Sequence, residues 1–127
     1  MVPDITILYA GLLGLLAIAL GAAAGSYRGK AGIDAGDGGD PELLIRMRRH
    51  ANFVESAPLA LILLGLLELQ AISSIAIHVL GGMLVVGRIL HAATFAQGIK
   101  SIPRGIGAGL TTLSTLVAAV WGIVTFF

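Results

Sequence analysis

DPELLIRMRRHANFVESAPLALILLGLLEL, residues 40–69, opens as a capped polar helix and runs without a break into an apolar one. Asp40 is suited to cap the helix, Pro41 to its first turn, and Glu42 to its positive end. The pattern predicts a helix over about 42–68. At 1.5 Å per residue it is about 40 Å long, more than the roughly 30 Å hydrocarbon core of a bilayer. Its basic first third (Arg46, Arg48, Arg49, His50) is therefore expected to protrude into water. Pro58 falls inside it and is expected to kink it, freeing the carbonyl of Val54.

Three further apolar segments flank this one, predicted as helices over about 4–26, 74–96 and 102–126. Polar connections separate them at Tyr27–Asp40, Leu69–Ser73 and Gln97–Ser101. Of the 127 residues, 57% are hydrophobic and only 12% charged, about half the charged share of a soluble domain. The mean hydropathy is +0.96. These values predict a single all-α domain, an integral membrane four-helix bundle. The first apolar segment reads as a permanent helix rather than a secretion signal, because Met1 to Tyr9 has Asp4 and no Lys or Arg. Gly21-xxx-Gly25 in that segment has the spacing of a close-packing motif. Trp121 suits the outer interfacial belt. A net charge of +1 provides no field for nucleic acid. The absence of cysteine excludes disulfides and thiolate metal sites.

Orientation follows from the basic residues. Arg28, Lys30, Arg46, Arg48 and Arg49 lie in or beside the first connection, and Lys100 and Arg104 in or beside the third. The positive-inside rule predicts both connections in the cytosol and both termini outside.

Ionisable groups within membrane helices cost at least a few kcal/mol each, which makes them functional candidates. The second helix carries Arg48, Asn52 and Glu55 at i, i+4 and i+7, one face. The third carries Arg88 and His91, with Phe95 on the same face. Glu55 precedes Glu68 by about 20 Å of helix, and Arg88 follows Ser74 by about 21 Å, so on antiparallel neighbours the two share a depth in the cytosolic third. They are therefore expected to face each other. A structural ion pair would need fewer groups than Arg48, Asn52, Glu55, Arg88, His91 and Arg104. Together these suit a small anionic zwitterion: arginines clamp carboxylates, Glu accepts from an ammonium, and Asn reads a peptide group. A thiol held near arginine becomes a better nucleophile. His78 is expected to pack or lie at the interface, and Arg46 and Arg49 to be solvated or at lipid headgroups. Asp34, Asp37 and Asp40 lack the bidentate Glu of a calcium loop, so no metal site is expected.

The run Arg48-x-His50-x-Asn52-x-x-Glu55-x-x-Pro58 resembles the helix-two signature of the MAPEG family, membrane-associated proteins in eicosanoid and glutathione metabolism. Gly87-Arg88-Ile89-Leu90-His91 is similar to its helix-three motif, and Gly36-Asp37-Gly38-Gly39 to the loop of small bacterial members, which resemble microsomal glutathione transferases. The resemblance implies a homotrimer in a bacterial inner membrane, with glutathione as co-substrate bound between subunits and the site facing the cytosol. It implies that Arg48 holds a glutathione carboxylate, Asn52 its peptide backbone and Glu55 its amino group. Arg88 and His91 would lie beside them, and Arg104 would stabilise the thiolate. Many catalytic members have tyrosine where this chain has Phe95.

The leading expectation is thus a glutathione-dependent transferase or peroxidase acting on hydrophobic electrophiles delivered from the lipid. Two alternatives stay open: a non-catalytic lipid or small-molecule binding protein of the same fold, and a small proton-coupled exporter with Glu55 as proton carrier.

Overall fold

The structure, a computed structural model, describes residues 2–98 and 100–127. Met1, at the start of the first segment, and Ile99, in the third connection, lie outside the described residues. Among the described residues four helices make up most of the chain: α1 (Asp4–Ala31), α2 (Pro41–Leu69), α3 (Ser74–Thr94) and α4 (Ile102–Val124), with a 3-10 turn (Phe95–Gln97) closing α3. Each is long and apolar enough to cross a membrane. Short connections fold each helix back along its predecessor. α2 and α3 occupy the centre; α1 packs on both from one side and α4 from the other.

α2 begins as its sequence predicts. The Asp40 carboxylate accepts from the Glu42 amide at 2.9 Å and the Leu43 amide at 3.0 Å. These donors, the Leu43 amide foremost, hold its carboxyl below the usual carboxylate range against some desolvation, with the Tyr27 hydroxyl helping. Pro58 lies inside α2, which continues on to Leu69.

α1 is five residues longer than the predicted end at Ser26. Tyr27 and Arg28 fold back on the start of α2. The Tyr27 hydroxyl donates to Asp40 Oδ2 at 3.1 Å, and Arg28 Nη1 to the Gly36 carbonyl at 2.8 Å. The helix ends only at Gly32, whose left-handed φ of 66° closes it through amide bonds to Arg28 and Gly29 carbonyls. Arg46, expected to be solvated or at lipid headgroups, braces this junction. It pairs with Glu42 at 2.7 Å, donates to the Ala23 carbonyl at 3.3 Å, and stacks over the Tyr27 ring at 4.8 Å. Arg49 is half-buried, and its Nε has no partner among the described residues.

Only a narrow stripe of α1 is buried: Thr6, Leu13, Leu20 and Ala24. The core has two layers. Leu13, Leu20, Phe53, Ala57, Ala60, Leu84 and Ala92 fill the half nearer the first connection. Leu64, Leu67, Ile77, Leu80 and Ala118 fill the other, with Tyr9 and Trp121 packed against them. In that half the Glu68 carboxylate of α2 accepts from the Ile5 and Thr6 amides of α1, both at 2.8 Å. It serves as an N-terminal cap lent by another helix. Tyr9 binds His78 of α3 through the ring Nδ1 at 2.9 Å and the backbone carbonyl at 3.0 Å, the packing role expected for His78.

The close glycine contact is not at Gly21 and Gly25. A Cβ on Gly25 would meet nothing within 4 Å, and one on Gly21 only the His50 ring. It lies between α3 and α4, where a Cβ on Gly87 would sit 2.8 Å from the Gly107 carbonyl and one on Gly107 2.6 Å from the His91 amide. Those two glycines bring the helix backbones into contact and so set the rotation of α4.

Candidate functional site

Four of the six candidate residues fall into two groups, Arg88 with Asn52 inside the bundle and His91 with Arg104 at the end where α3 passes to α4. The inner group centres on Arg88, only 3% exposed. Its Nε donates to Thr111 Oγ1 of α4 at 2.9 Å, and its Nη1 to Asn52 Oδ1 of α2 at 2.9 Å. The same Nη1 lies 3.4 Å from the Asn52 carbonyl, which also accepts from Ser56 Oγ at 2.8 Å. Thr111 passes its own proton to the Gly107 carbonyl at 3.0 Å. The Gly87–Gly107 contact is what brings Thr111 within reach.

Arg88 is therefore solvated by neutral groups. No carboxylate pairs with it among the described residues, where Arg46–Glu42 is the one ion pair. This corrects the expectation that Glu55 and Arg88 face each other. Asn52 is half-buried, but Arg48 and Glu55 are exposed on the outside of α2. Glu55 borders a hollow of about 410 Å³ between α2 and α4, with Ser56, Leu59, Thr111, Thr112, Thr115 and Leu116. Neither Arg48 nor Arg88 lines that hollow. Arg88 turns instead to the Thr111 hydroxyl on α4 and to Asn52, three residues before Glu55 on α2.

The second group lies at the α3 end. His91 is 5% exposed, its ring in a T-shaped contact with Phe95 with centroids 5.4 Å apart. Arg104, in the first turn of α4, sets its guanidinium 4.2 Å from the centre of the Phe95 ring and donates from Nη1 to the Phe95 carbonyl at 3.3 Å. Of the six candidates, then, Arg88 and Asn52 are bonded, His91 and Arg104 meet through Phe95, and Arg48 and Glu55 look outward.

Thr111 escaped the sequence reading, although it is the residue that holds Arg88. The available signal was the cluster Thr111, Thr112, Ser114 and Thr115 in an otherwise apolar helix. Ser114 also ties α4 to α3, donating to the Leu80 carbonyl at 2.9 Å. A buried cation with spare donors and an exposed arginine, Arg48, on a neighbouring helix can take up an anion.

Comparison with known families bears on the chain as a whole. The MAPEG family model matches residues 6–124, essentially the whole bundle. The chain belongs to the MAPEG family. Two relatives are 33% identical over 85 residues: the inner membrane protein YecN of Escherichia coli strain K12 and its counterpart in Escherichia coli O6:H1 strain CFT073. Each match covers 66% of this chain and 65% of the relative, so the chain spans just under two thirds of the relatives' length. Within MAPEG terms the chain is an integral membrane protein of four helices, whose polar positions fall on α2, α3 and the start of α4.

Proposed function

We propose that this MAPEG protein is a membrane-bound, glutathione-dependent transferase or peroxidase acting on hydrophobic electrophiles. The observation that carries the reading is Arg88: a cation of α3 buried inside the bundle with no carboxylate partner among the described residues, bonded to Asn52 of α2, the helix that also carries Arg48 and Glu55. A buried guanidinium with no counter-charge favours an anionic ligand.

In this reading the outward position of Arg48 and Glu55 has a use. A glutamate presented to lipid is costly. A neighbouring copy in a homotrimer would cover it and close the site between subunits. Arg48 would then hold a glutathione carboxylate, Asn52 the peptide backbone and Glu55 the ammonium, with Arg88 and His91 behind them. Arg104 would stabilise the thiolate, and the hollow between α2 and α4 would admit the electrophile from the lipid. Thiolate attack on the electrophilic carbon forms the C–S bond as the leaving group departs with the bonding pair. Under the positive-inside rule the site faces the cytosol and both termini lie outside, in a bacterial inner membrane like that named for YecN. The exporter alternative draws no support from the family match.

The test is calorimetric titration of glutathione against the purified protein and Glu55→Ala, with turnover of a chromogenic aryl halide followed in Arg104→Ala. Saturable binding weakened by Glu55→Ala, with turnover lost in Arg104→Ala, is the expected result. Unchanged turnover in Arg104→Ala would remove that residue from the mechanism. Phe95, which has no hydroxyl to offer a thiolate, favours a second reading, a non-catalytic binding protein; saturable glutathione binding with no turnover of any electrophile would select it.

A further inference from the structure

Phe95 stands in the 3-10 turn between two charged or polar rings of contact. Its ring makes a T-shaped contact with His91, with centroids 5.4 Å apart. Its face lies under the Arg104 guanidinium at 4.2 Å. Its carbonyl takes the Arg104 Nη1 proton at 3.3 Å. The carbonyl would be present whatever the residue; the ring face is what phenylalanine adds.

We infer that Phe95 is a positioning residue for Arg104, fixing the plane of its guanidinium so that the remaining N–H groups are held for a thiolate. The inference rests on the proposed role of Arg104. An arginine side chain has many rotamers, and one hydrogen bond fixes only one of its nitrogens. A ring beneath the guanidinium fixes the plane as well, and a planar cation is the group that can use such a platform. Two contacts together preorganise the positive charge, so the sulfur gains its partner without paying to order the side chain. The thiol proton passes to water. On this view the function of the aromatic at this position is carried by the ring face, and the loss of a tyrosine hydroxyl leaves it intact.

The experiment is titration of the thiol of glutathione bound to the purified full-length protein, followed by the ultraviolet absorbance of the thiolate. The unaltered protein is expected to hold the bound thiol below its usual value near 8.5. Phe95→Leu, which removes the ring and keeps an apolar side chain, should raise it by about one unit, on the scale of a desolvated cation–π contact. Phe95→Tyr should restore it. Arg104→Ala should raise it as well, and Phe95→Leu should add nothing in the Arg104→Ala background, because the ring acts through the guanidinium. If Phe95→Leu does not fold, Arg104→Lys tests the same point, since it keeps the charge and loses the plane; it should raise the value similarly. An unchanged value in Phe95→Leu or in Arg104→Lys, with a rise in Arg104→Ala, overturns the positioning role alone. Equal increments from Phe95→Leu in both backgrounds do the same. Failure of the unaltered protein to bind glutathione overturns the proposed function and the positioning role with it; no rise in Arg104→Ala removes Arg104 from the mechanism and overturns the positioning role.

Discussion

Arg88 of α3 donates to the side-chain oxygen of Asn52 on α2 at 2.9 Å, so two polar residues 36 positions apart are bonded inside the bundle. A guanidinium in that setting has no water to fall back on, which makes each of its protein partners energetically consequential. Asn52→Ala removes the acceptor and strands a buried charged donor. The expected cost is about 2–3 kcal/mol, read as a lowered unfolding midpoint in detergent. Asn52→Asp keeps an acceptor and supplies a counter-charge, so it should lose less. Equal stability of Asn52→Ala and the unaltered protein would contradict this.

The Gly87–Gly107 contact gives a second prediction. A methyl on either glycine meets backbone of the facing helix at under 3 Å, and backbone cannot swing aside as a side chain does. Gly107→Ala should destabilise by about 1–3 kcal/mol and should also loosen the Thr111–Arg88 bond. Gly25→Ala, with nothing within 4 Å of the added carbon, should be neutral or gain up to about 1 kcal/mol of helix propensity. Thermal unfolding of the two variants side by side checks the contrast.

Glu68 supplies the third. Glu68→Gln keeps one acceptor oxygen but loses the charge opposite the positive end of α1, and Glu68→Ala loses both. Amide hydrogen exchange at Ile5 and Thr6 should accelerate modestly in the first variant and by about tenfold in the second, while amides in the middle of α1 hold steady. No change at Ile5 and Thr6 in Glu68→Ala would mean the cap contributes nothing.

Asp40 yields a pH dependence. Its carboxyl is held below its ordinary range in the folded chain, first by the Leu43 amide. The unfolded chain therefore binds the proton more readily, and stability rises with pH across this interval. The contribution is complete above the ordinary aspartate value of about 4 and disappears as pH falls through the lower folded value. Asp40→Asn still caps the helix but cannot titrate, so its melting temperature should fall less steeply below about pH 4 than that of the unaltered protein.

The four helices were legible because hydropathy over about 20 residues is a strong signal, and the start of α2 because Asp40-Pro41-Glu42 states its cap directly. The polar positions of α2 and α3 were legible for the same reason: charge in an apolar run stands out. Their partners were not. Arg88 is held by Thr111, a neutral residue whose hydroxyl barely registers against its methyl in any hydropathy scale. The rotation that presents Thr111 comes from Gly87 and Gly107, two among 18 glycines. The outward turn of Glu55 was likewise hidden, because spacing along one helix assigns residues to a common side without saying what that side meets. α1 outran its predicted end because Tyr27 and Arg28 are polar by composition yet find partners on α2.

The Glu68 bond also has a bearing on how the chain is made. The amides it caps lie 63 and 62 residues earlier, so the first turn of α1 stays uncapped until the last turn of α2 has been synthesised. α1 is only thinly held by its own contacts, and it completes its N-terminus only with α2 alongside. The start of α1 and the end of α2 are thus closed together, with the carboxylate of Glu68 as the latch.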